Sequence, residues 1–263
     1  MSSEGAPGLV PGLVPGLAPA LIEAFGDAQN VVALTGSGVS AESGVPTFRE
    51  AQTGLWERYD PLQLATPQAF DRDPRLVWEW YAWRRKLVSE AGPNPGHLAL
   101  AELERRSPNF TLITQNVDGL HGRAGSREVI ELHGNLLRSK CSREGVVTEP
   151  EEDDEDVPPR CPRCGANLRP DVVWFGEMLP PAALDAASWA TSACDLFLSI
   201  GTSSLVYPAA ALPYEALENG ATLVEINPNE TPLTPHADYS LRGAAGHVLP
   251  DLLRMIYGPP ASS

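Results

Sequence analysis

Two glycines after an apolar segment are the first residues whose spacing suggests chemistry. Residues 31–34 are apolar without alternation, as in a strand buried on both faces of a parallel sheet. Gly36 and Gly38 follow, and residues 40–42 are typical of the first turn of a helix. Such a unit binds pyrophosphate, because backbone N–H groups and the helix dipole point at the anion. With Ala41, the two glycines satisfy the Gly-x-Gly-x-x-Gly/Ala pattern and predict a dinucleotide site.

The next residues predict a covering loop instead of a long helix. Residues 43–49 contain Gly44 and Pro46, which break a helix almost as soon as it has started. A loop that closes over the ligand fits this segment better, and it would make Arg49 available to a phosphate.

Polar residues follow three other apolar segments, which we predict to be buried strands at 110–114, 195–200 and 222–226. Ligands of open α/β sheets bind at the carboxyl ends of the strands. We therefore expect the following residues to lie beside the glycine turn: Gln115, Asn116, Asp118, Gly201, Thr202, Ser203 and Asn227. A fourth short strand, at 129–132, ends at His133 and Gly134.

The elements that must position these residues alternate between strands and helices. Apolar residues recur at helical spacing at 74–91, and shorter helices are predicted at 19–28 and 97–106. The alternation predicts an α/β fold with a doubly wound parallel sheet. Residues 136–168 interrupt it with three cysteines and an acidic run at 149–156, which indicates a small inserted module. Residues 1–18 carry a Pro-Gly repeat and are predicted to form a flexible tail.

Composition narrows the class of protein. The chain has 263 residues, 43% of them hydrophobic, which is enough for one large domain or a large and a small one. A net charge of −15 argues against nucleic acid or an anionic membrane as a partner. No apolar run approaches the roughly 20 residues of a membrane span, and the N-terminus lacks the basic region of a signal peptide. With one Cys-x-x-Cys pair among four cysteines, we expect a cytoplasmic protein with a metal site.

Several long motifs together resemble the sirtuins, which are NAD-dependent protein-lysine deacylases. They are TGSGVSAESGVPTFR at 35–49, TQNVDGLH at 114–121, the His133–Gly134 pair, VVWFGE at 172–177 and GTSSLVYPAA at 201–210. The resemblance covers about residues 24–253 in the family's order. It implies a catalytic domain over residues 19–263 with a Rossmann-like sheet. A smaller zinc-ribbon-like and helical module would be inserted at about 45–95 and 136–168. It also implies NAD as cofactor, acyl-lysine proteins as substrates and a monomeric state.

The resemblance assigns the NAD site residue by residue. Asn116 and Asp118 would hold the nicotinamide end and assist catalysis, Gln115 would contact its ribose, and Ala245 would lie against the adenine. Gly201, Thr202, Ser203 and Asn227 would sit near the adenosine half. The pyrophosphate would be held and covered by Gly36, Ser37, Gly38, Ser40, Ala41, Glu42, Thr47, Phe48 and Arg49.

His133 would be the general base of the family's reaction. The acyl oxygen attacks the ribose carbon as nicotinamide leaves, and His133 then removes a proton from a ribose hydroxyl, which attacks the acyl carbon. Nicotinamide, free lysine and O-acyl-ADP-ribose result. A histidine near its ordinary pKa suits this task. A capping or packed histidine is the alternative for His133, and we interpret His97 and His121 as structural because nothing chemical surrounds His97 and His121 follows the polar cluster.

Substrate contacts are implied at two places. Residues 172–174 would pair with an extended peptide, and Val173, Trp174, Phe175 and Gly176 would form its site, with Phe175 and Val173 walling the lysine tunnel. An ordinary buried strand is the alternative.

Tyr81 and Arg84, three residues apart on one helix face, resemble the Tyr-x-x-Arg signature of sirtuins that remove acidic acyl groups. Ala65 matches a small residue that leaves room for the longer acyl chain. An exposed arginine and a tyrosine with only its tip in water are the alternative.

The metal module departs from the family's two Cys-x-x-Cys pairs. Cys161 and Cys164 form one pair, but Cys141 is followed at the partner position by Glu144. Zinc with Glu144 or water as fourth ligand and the absence of metal both stay open. Cys194 lies in an apolar segment and is predicted to be buried.

We therefore expect an NAD-dependent deacylase that removes succinyl or malonyl groups from lysine, with acetyl as a further candidate group. A mono-ADP-ribosyltransferase and a non-catalytic NAD-sensing module are the alternatives. A conventional dehydrogenase is disfavoured by the covering loop, and by the lack of an acidic ribose ligand about 20 residues after the glycine turn.

Overall fold

The computed structural model describes residues 17–45, 60, 64–151 and 155–258. Its helices are α1 Leu17–Asp27, α2 Ser37–Ser40, α3 Pro67–Arg72, α4 Pro74–Glu90, α5 Pro95–Arg106, α6 Leu120–Arg123, α7 Pro181–Ser192, α8 Leu212–Glu218 and α9 Ala245–Tyr257. Its strands are β1 Asn30–Thr35, β2 Asn109–Thr114, β3 Val129–Glu131, β4 Gly134–Cys141, β5 Leu168–Val172, β6 Leu196–Ile200, β7 Thr222–Ile226 and β8 Tyr239–Leu241.

A six-stranded parallel sheet forms the centre of the molecule, in the order β3-β2-β1-β6-β7-β8. Counted along the chain within this sheet, the order is 3-2-1-4-5-6, which is the Rossmann arrangement. The strand order reverses beside β1, where the two halves of the sheet meet. The predicted doubly wound sheet is confirmed.

Both faces of the sheet are covered, which explains the apolar runs without alternation. Val31 and Ala33 face a core formed with α1, α5 and α9. Val32 and Leu34 face a second core formed with α7 and α8. Burying each valine or leucine side chain contributes about 1.5–3 kcal/mol.

A smaller unit is built around the antiparallel pair β4–β5. Its core joins α3 and α4 to the ends of these strands through Phe70, Trp80, Tyr81, Leu136 and Trp174. The cysteines form a separate small cluster against Trp78 of α4. The segments before residue 95 and after residue 136 therefore pack together.

Two predicted helix starts need correction, and two other predicted features lie outside the described residues. The helix after the glycine turn begins at Ser37, three residues before the predicted start at residue 40. It continues into a 3₁₀ turn, which ends at Gly44 with φ +74°. The helix predicted from residue 97 begins at Pro95, because Asn94 caps it by accepting the Gly96 N–H. The N-terminal tail before Leu17 and the predicted site residues Thr47, Phe48 and Arg49 lie outside the described residues. In the part of the chain that the structure describes, no helix is long and apolar enough to cross a membrane.

Candidate active site

The glycine turn after β1 packs directly against the turn after β6. A Cβ at Gly36 or Gly38 would lie 2.8 Å from the Gly201 carbonyl oxygen, and Gly201 itself has φ +60°. The Gly36 and Gly38 N–H groups donate to the Ile200 and Gly201 carbonyls at 3.0 and 2.8 Å. Contact between the two turns therefore uses these two N–H groups. A pyrophosphate bound here would be held by other groups of the unit, and the predicted site stays a prediction.

Exposed hydroxyl side chains lie on both of these turns. Ser37 follows Gly36, Ser203 follows Thr202, and both are exposed. Hydroxyl groups can donate to phosphate oxygens. Ser37 and Ser203 stay candidates for contact with the cofactor.

Buried polar side chains connect the ends of β1 and β2. The Ser40 hydroxyl donates to Asp118 Oδ2 at 2.7 Å. Asn116 Nδ2 donates to the Gly36 carbonyl at 3.0 Å and to Ser40 Oγ at 3.1 Å. Asp118 Oδ1 also accepts the Leu120 N–H at 2.9 Å, so its orientation is fixed from two sides. These bonds hold the predicted nicotinamide-end residues in one arrangement.

Thr202 joins the second half of the sheet to this cluster. Gln115 Nε2 donates to Thr202 Oγ1 at 3.2 Å, and Asn227 Nδ2 donates to the Thr202 carbonyl at 2.8 Å. The predicted meeting of the strand ends beside the glycine turn is thus confirmed, although the roles of the residues there stay predictions.

Glu42 and Ala245 connect the first turn to the last helix. Glu42 Oε2 accepts the N–H of Gly246 in the first turn of α9 at 2.7 Å, and the carboxylate favours that helix end. The Ala245 side chain is buried in the first core. A contact between this segment and adenine would therefore come from its backbone.

Two buried histidines lie behind the polar cluster, with ring centroids 4.9 Å apart. His97 Nε2 is 3.3 Å from Ser40 Oγ, and His121 Nε2 is 2.9 Å from Thr35 Oγ1. Burial lowers the pKa of His97, and lowers that of His121 to about 3, so both rings are neutral at pH 7. The expectation that nothing chemical surrounds His97 is wrong, because its ring contacts the serine that binds Asp118.

His133 is held so that one ring nitrogen can take a proton. Its Nδ1 lies 2.9 Å from the Gln115 carbonyl oxygen, which can only accept, so Nδ1 carries the hydrogen. Nε2 then keeps a lone pair. Burial lowers the pKa of His133, which keeps the ring neutral at pH 7. This is the tautomer that a general base requires.

The backbone around His133 requires a glycine. Gly134 has φ +78°, and a Cβ there would lie 2.1 Å from the Asp171 carbonyl oxygen. Val173 N–H donates to the His133 carbonyl at 2.9 Å. The β4–β5 pair therefore fixes the backbone that carries the imidazole.

The VVWFGE segment differs from its prediction. Val173, Trp174 and Phe175 each donate their N–H within the chain: to the His133 carbonyl, to Glu177 Oε2 and to the Ala65 carbonyl. The N–H groups of Val173 and Trp174 are therefore already used within the chain, and the pairing of residues 172–174 with a peptide stays a prediction. Trp174 is also buried, whereas Phe175 and Gly176 are exposed. Phe175 and Gly176 thus stay the better candidates for peptide contact.

Tyr81 lies in the core between α4 and the VVWFGE turn, and Arg84 lies half-buried beside it. Tyr81 is 2% exposed, so the alternative of a tyrosine with its tip in water is wrong. Trp174 Nε1 donates to its hydroxyl at 3.0 Å, and burial raises the pKa of Tyr81 to about 12. The Arg84 guanidinium lies 5.7 Å from the Tyr81 ring centroid, and Ala65 is buried in the same core. The phenol is a neutral donor next to a cation, which suits an anionic acyl end.

The cysteine module brings four possible metal ligands together. The ligand atoms of Cys141, Glu144, Cys161 and Cys164 all lie within 4.8 Å of one another. The cysteines are not disulfide-bonded, and Glu144 Oε2 lies 3.1 Å from Arg163 Nε. Three thiols and one carboxylate are a ligand set that fits tetrahedral zinc. Cys194 is buried elsewhere and donates to the Thr191 carbonyl, as a packed cysteine would.

Three residues near the site were not predicted. Ser204 is buried with φ +55°, and within the described residues its hydroxyl has no hydrogen-bond partner. Strained backbone of this kind clusters at functional sites, but nothing in its sequence signals it. Arg169 and Glu177 form a partly buried ion pair with Nη1–Oε1 at 2.5 Å. The sequence signal that could have indicated this pair is one basic and one acidic residue on the two sides of the apolar segment at 172–175.

Comparisons with known proteins give matches that extend over most of the chain. A model of the Sir2 family matches residues 36–208. The NAD-dependent protein deacylase of Methylococcus capsulatus is 55% identical over 238 residues, covering 88% of this chain and 93% of that protein. NAD-dependent protein deacylase 1 of Pseudomonas aeruginosa is 52% identical over 244 residues, covering 90% and 98%.

Solved structures of similar fold also match most of the chain. A complex of a Sir2 homolog with NAD has a TM-score of 0.84 and 52% identity, covering 90% of this chain and 93% of that one. A Sir2 protein bound to an acetylated peptide has a TM-score of 0.82 and 30% identity, covering 92% and 99%.

Proposed function

Because the chain belongs to the Sir2 family, we propose that it is an NAD-dependent protein-lysine deacylase that prefers succinyl and malonyl groups to acetyl. The enzyme class follows from relatives with more than half of their residues identical across most of the chain. The acyl preference is supported by the core around Tyr81 and Arg84.

NAD, when bound, supplies the ribose carbon that takes the acyl oxygen as nicotinamide leaves. We expect His133 to receive a proton at Nε2, because its Nδ1–H donates to the Gln115 carbonyl. Asn116 and Asp118 are held by Ser40 and the Gly36 carbonyl, which preorganises them to orient the nicotinamide end. Preorganised groups of this kind lower the barrier without rearranging during the reaction.

The buried Tyr81 hydroxyl is the observation that carries the acyl preference. Its oxygen accepts from Trp174, so its own hydrogen is left to donate toward an acyl group. Arg84 adds a permanent positive charge in a planar fork that matches a carboxylate. A succinyl or malonyl carboxylate would use both groups. An acetyl methyl would use neither.

Zinc has a structural role in this proposal. Cys141, Cys161, Cys164 and Glu144 would hold the ion and supply all four positions, which leaves none open for substrate. The cluster stabilises the module next to α4.

Mass spectrometry of the products from NAD and an acyl-lysine peptide tests the reaction. Nicotinamide with O-acyl-ADP-ribose is the expected result. A protein carrying ADP-ribose would indicate the transferase, and unchanged NAD would indicate a sensing module.

An acyl panel tests the preference. Charge-assisted contacts contribute about 1.5–3 kcal/mol, so succinyl-lysine should exceed acetyl-lysine by about ten- to a hundredfold in kcat/KM. Arg84→Met should remove most of this ratio, mainly through the KM of succinyl-lysine, and Tyr81→Phe should lower it less. Arg75→Met is the matched control, because Arg75 is exposed on the same helix and pairs with Glu79. A native preference for acetyl-lysine, or an equal loss of both activities in Arg84→Met, would contradict the proposal.

A further inference from the structure

We infer that Trp174 is a positioning residue for acyl selectivity, because its indole N–H sets the direction in which the Tyr81 hydroxyl donates. This inference rests on the proposed acidic-acyl preference and adds a residue that acts on it through Tyr81.

The contact between the two side chains is direct and buried. Trp174 Nε1 donates to Tyr81 Oη at 3.0 Å, and both residues are 2% exposed or less. An indole nitrogen can only donate, so it takes a lone pair of the phenol oxygen. Tyr81 is then left as a donor for its next bond. A carboxylate can accept that bond, whereas a methyl group cannot.

The indole itself is held from several sides. The Arg169 guanidinium lies 3.3 Å from the Trp174 ring centroid, and Phe70 packs against the same residue with a centroid separation of 5.3 Å. Glu177 Oε2 accepts the Trp174 backbone N–H at 2.8 Å. Ring and backbone are therefore fixed independently of any ligand.

Glu177 also anchors the arginine that covers the ring. Arg169 Nη1 and Nη2 bind Glu177 Oε1 and Oε2 at 2.5 and 2.9 Å, and Nη2 also donates to the Val172 carbonyl at 2.9 Å. Such a bidentate pair is geometrically specific. The direction of the indole N–H is thus set by a chain of contacts that runs from Glu177 through Arg169 to Trp174.

The geometry makes a definite prediction about selectivity. Trp174→Phe removes the N–H, so the Tyr81 hydroxyl is no longer directed. The ratio of kcat/KM for succinyl-lysine to that for acetyl-lysine should fall about two- to tenfold, which corresponds to one neutral hydrogen bond. The fall should appear in the KM of succinyl-lysine. Trp189→Phe, at a tryptophan that is 75% exposed on α7, is the matched control and should leave the ratio as it is.

A double-mutant cycle separates positioning from a general structural effect. If Trp174 acts through Tyr81, Trp174→Phe should change the ratio less than twofold when Tyr81→Phe is already present. An equal fall in both backgrounds, or no fall in the native background, would overturn the inference. Should Trp174→Phe fold poorly, benzothienylalanine at position 174 replaces the N–H by sulfur and keeps the ring shape. Loss of the ratio in that protein would support the inference, and an unchanged ratio would overturn it.

Arg84→Met distinguishes this inference from the proposal beneath it. A high native ratio that collapses in Arg84→Met but not in Trp174→Phe would overturn the role of Trp174 alone. A native preference for acetyl-lysine would overturn both.

Discussion

One hydrogen bond distinguishes the half-buried His133 from the two buried histidines, His97 and His121. His121 uses Nε2 against Thr35 deep in the core, and His97 uses Nδ1 to accept the Asn94 N–H. His133 directs Nδ1–H at a carbonyl and keeps the lone pair of Nε2. The residue type and its place at a strand end could be predicted from sequence. The tautomer could not, because it depends on the Gln115 carbonyl, which the fold brings from another strand.

Replacing His133 tests the general base. His133→Ala should bind NAD nearly as the native protein does but lose about 10²- to 10⁴-fold in deacylation rate, because the base acts after the cofactor is seated. Calorimetry with NAD and turnover of an acyl-lysine peptide measure the two effects. His236→Ala, at an exposed histidine that packs against Tyr214, is the control. Robust turnover by His133→Ala would show that another group is the base.

The pH profile tests the same residue without mutation. Burial lowers the pKa of His133 from 6.5, so the neutral ring persists to a lower pH than for an exposed histidine. Protonation removes the base, so kcat/KM should fall as pH drops and reach half its maximum below pH 6.5. Rates between pH 5 and 8 give this midpoint. A midpoint above 6.5 would contradict the assignment.

At the scale of elements, two glycine turns hold the halves of the sheet together. Gly36 and Gly38 pack on Gly201 with backbone atoms in contact. The strands β1, β2, β6 and β7 that carry these turns could be predicted from the sequence, because strands buried on both faces form continuous apolar runs.

The β4–β5 pair was harder to predict than the central sheet. Its register shifts between Asn135 and Ser139, which interrupts regular pairing, and β4 contains Arg138 and Lys140. Residues 173–177 form a turn that depends on Glu177 and on Ala65, far away in the sequence. Neither partner can be inferred from local pattern.

A single methyl group at residue 201 tests the contact between the turns. Gly201→Ala should lower the free energy of unfolding by about 2–4 kcal/mol, because alanine disfavours φ +60° and its Cβ would lie 2.6 Å from the Val39 nitrogen. The KM for NAD should rise as well. Denaturant unfolding and NAD titration measure these effects. Gly26→Ala, where nothing lies within 4 Å in α1, should instead gain about 0.5–1 kcal/mol. Equal stability of the two variants would contradict the role of the contact.

At the scale of the whole molecule, the sheet and the smaller unit meet at His133. His133 follows β3 of the sheet, and its backbone carbonyl accepts the N–H of Val173, which follows β5 of the smaller unit. Composition indicated an inserted module but not which helix it would pack on. That depends on Trp78 and Leu136, whose partners lie far along the chain.

Metal analysis tests the cysteine module. Protein purified without chelator should contain about one zinc per chain, and a chelator should lower its melting temperature because metal binding is coupled to folding. Cys164→Ala should lose the metal, whereas Cys194→Ala should keep it, since Cys194 lies outside the cluster. Glu144→Cys should hold zinc more tightly than Glu144→Ala. A metal-free protein that is stable and active would show that the cluster has no metal role.

The position of β1 in the sheet has a consequence while the chain is being synthesised on the ribosome. One edge of β1 pairs with β2 soon after synthesis, but the other pairs with β6, and the Asn30 N–H donates to the Asp195 carboxylate 165 residues later. At about 5–20 residues per second, the ribosome takes on the order of ten to thirty seconds to supply that partner. During this interval an apolar strand edge is open to other nascent chains. A polypeptide truncated before Leu196 would lack β6 and would keep that edge of β1 exposed. The last quarter of the chain therefore protects the first strand from aggregation.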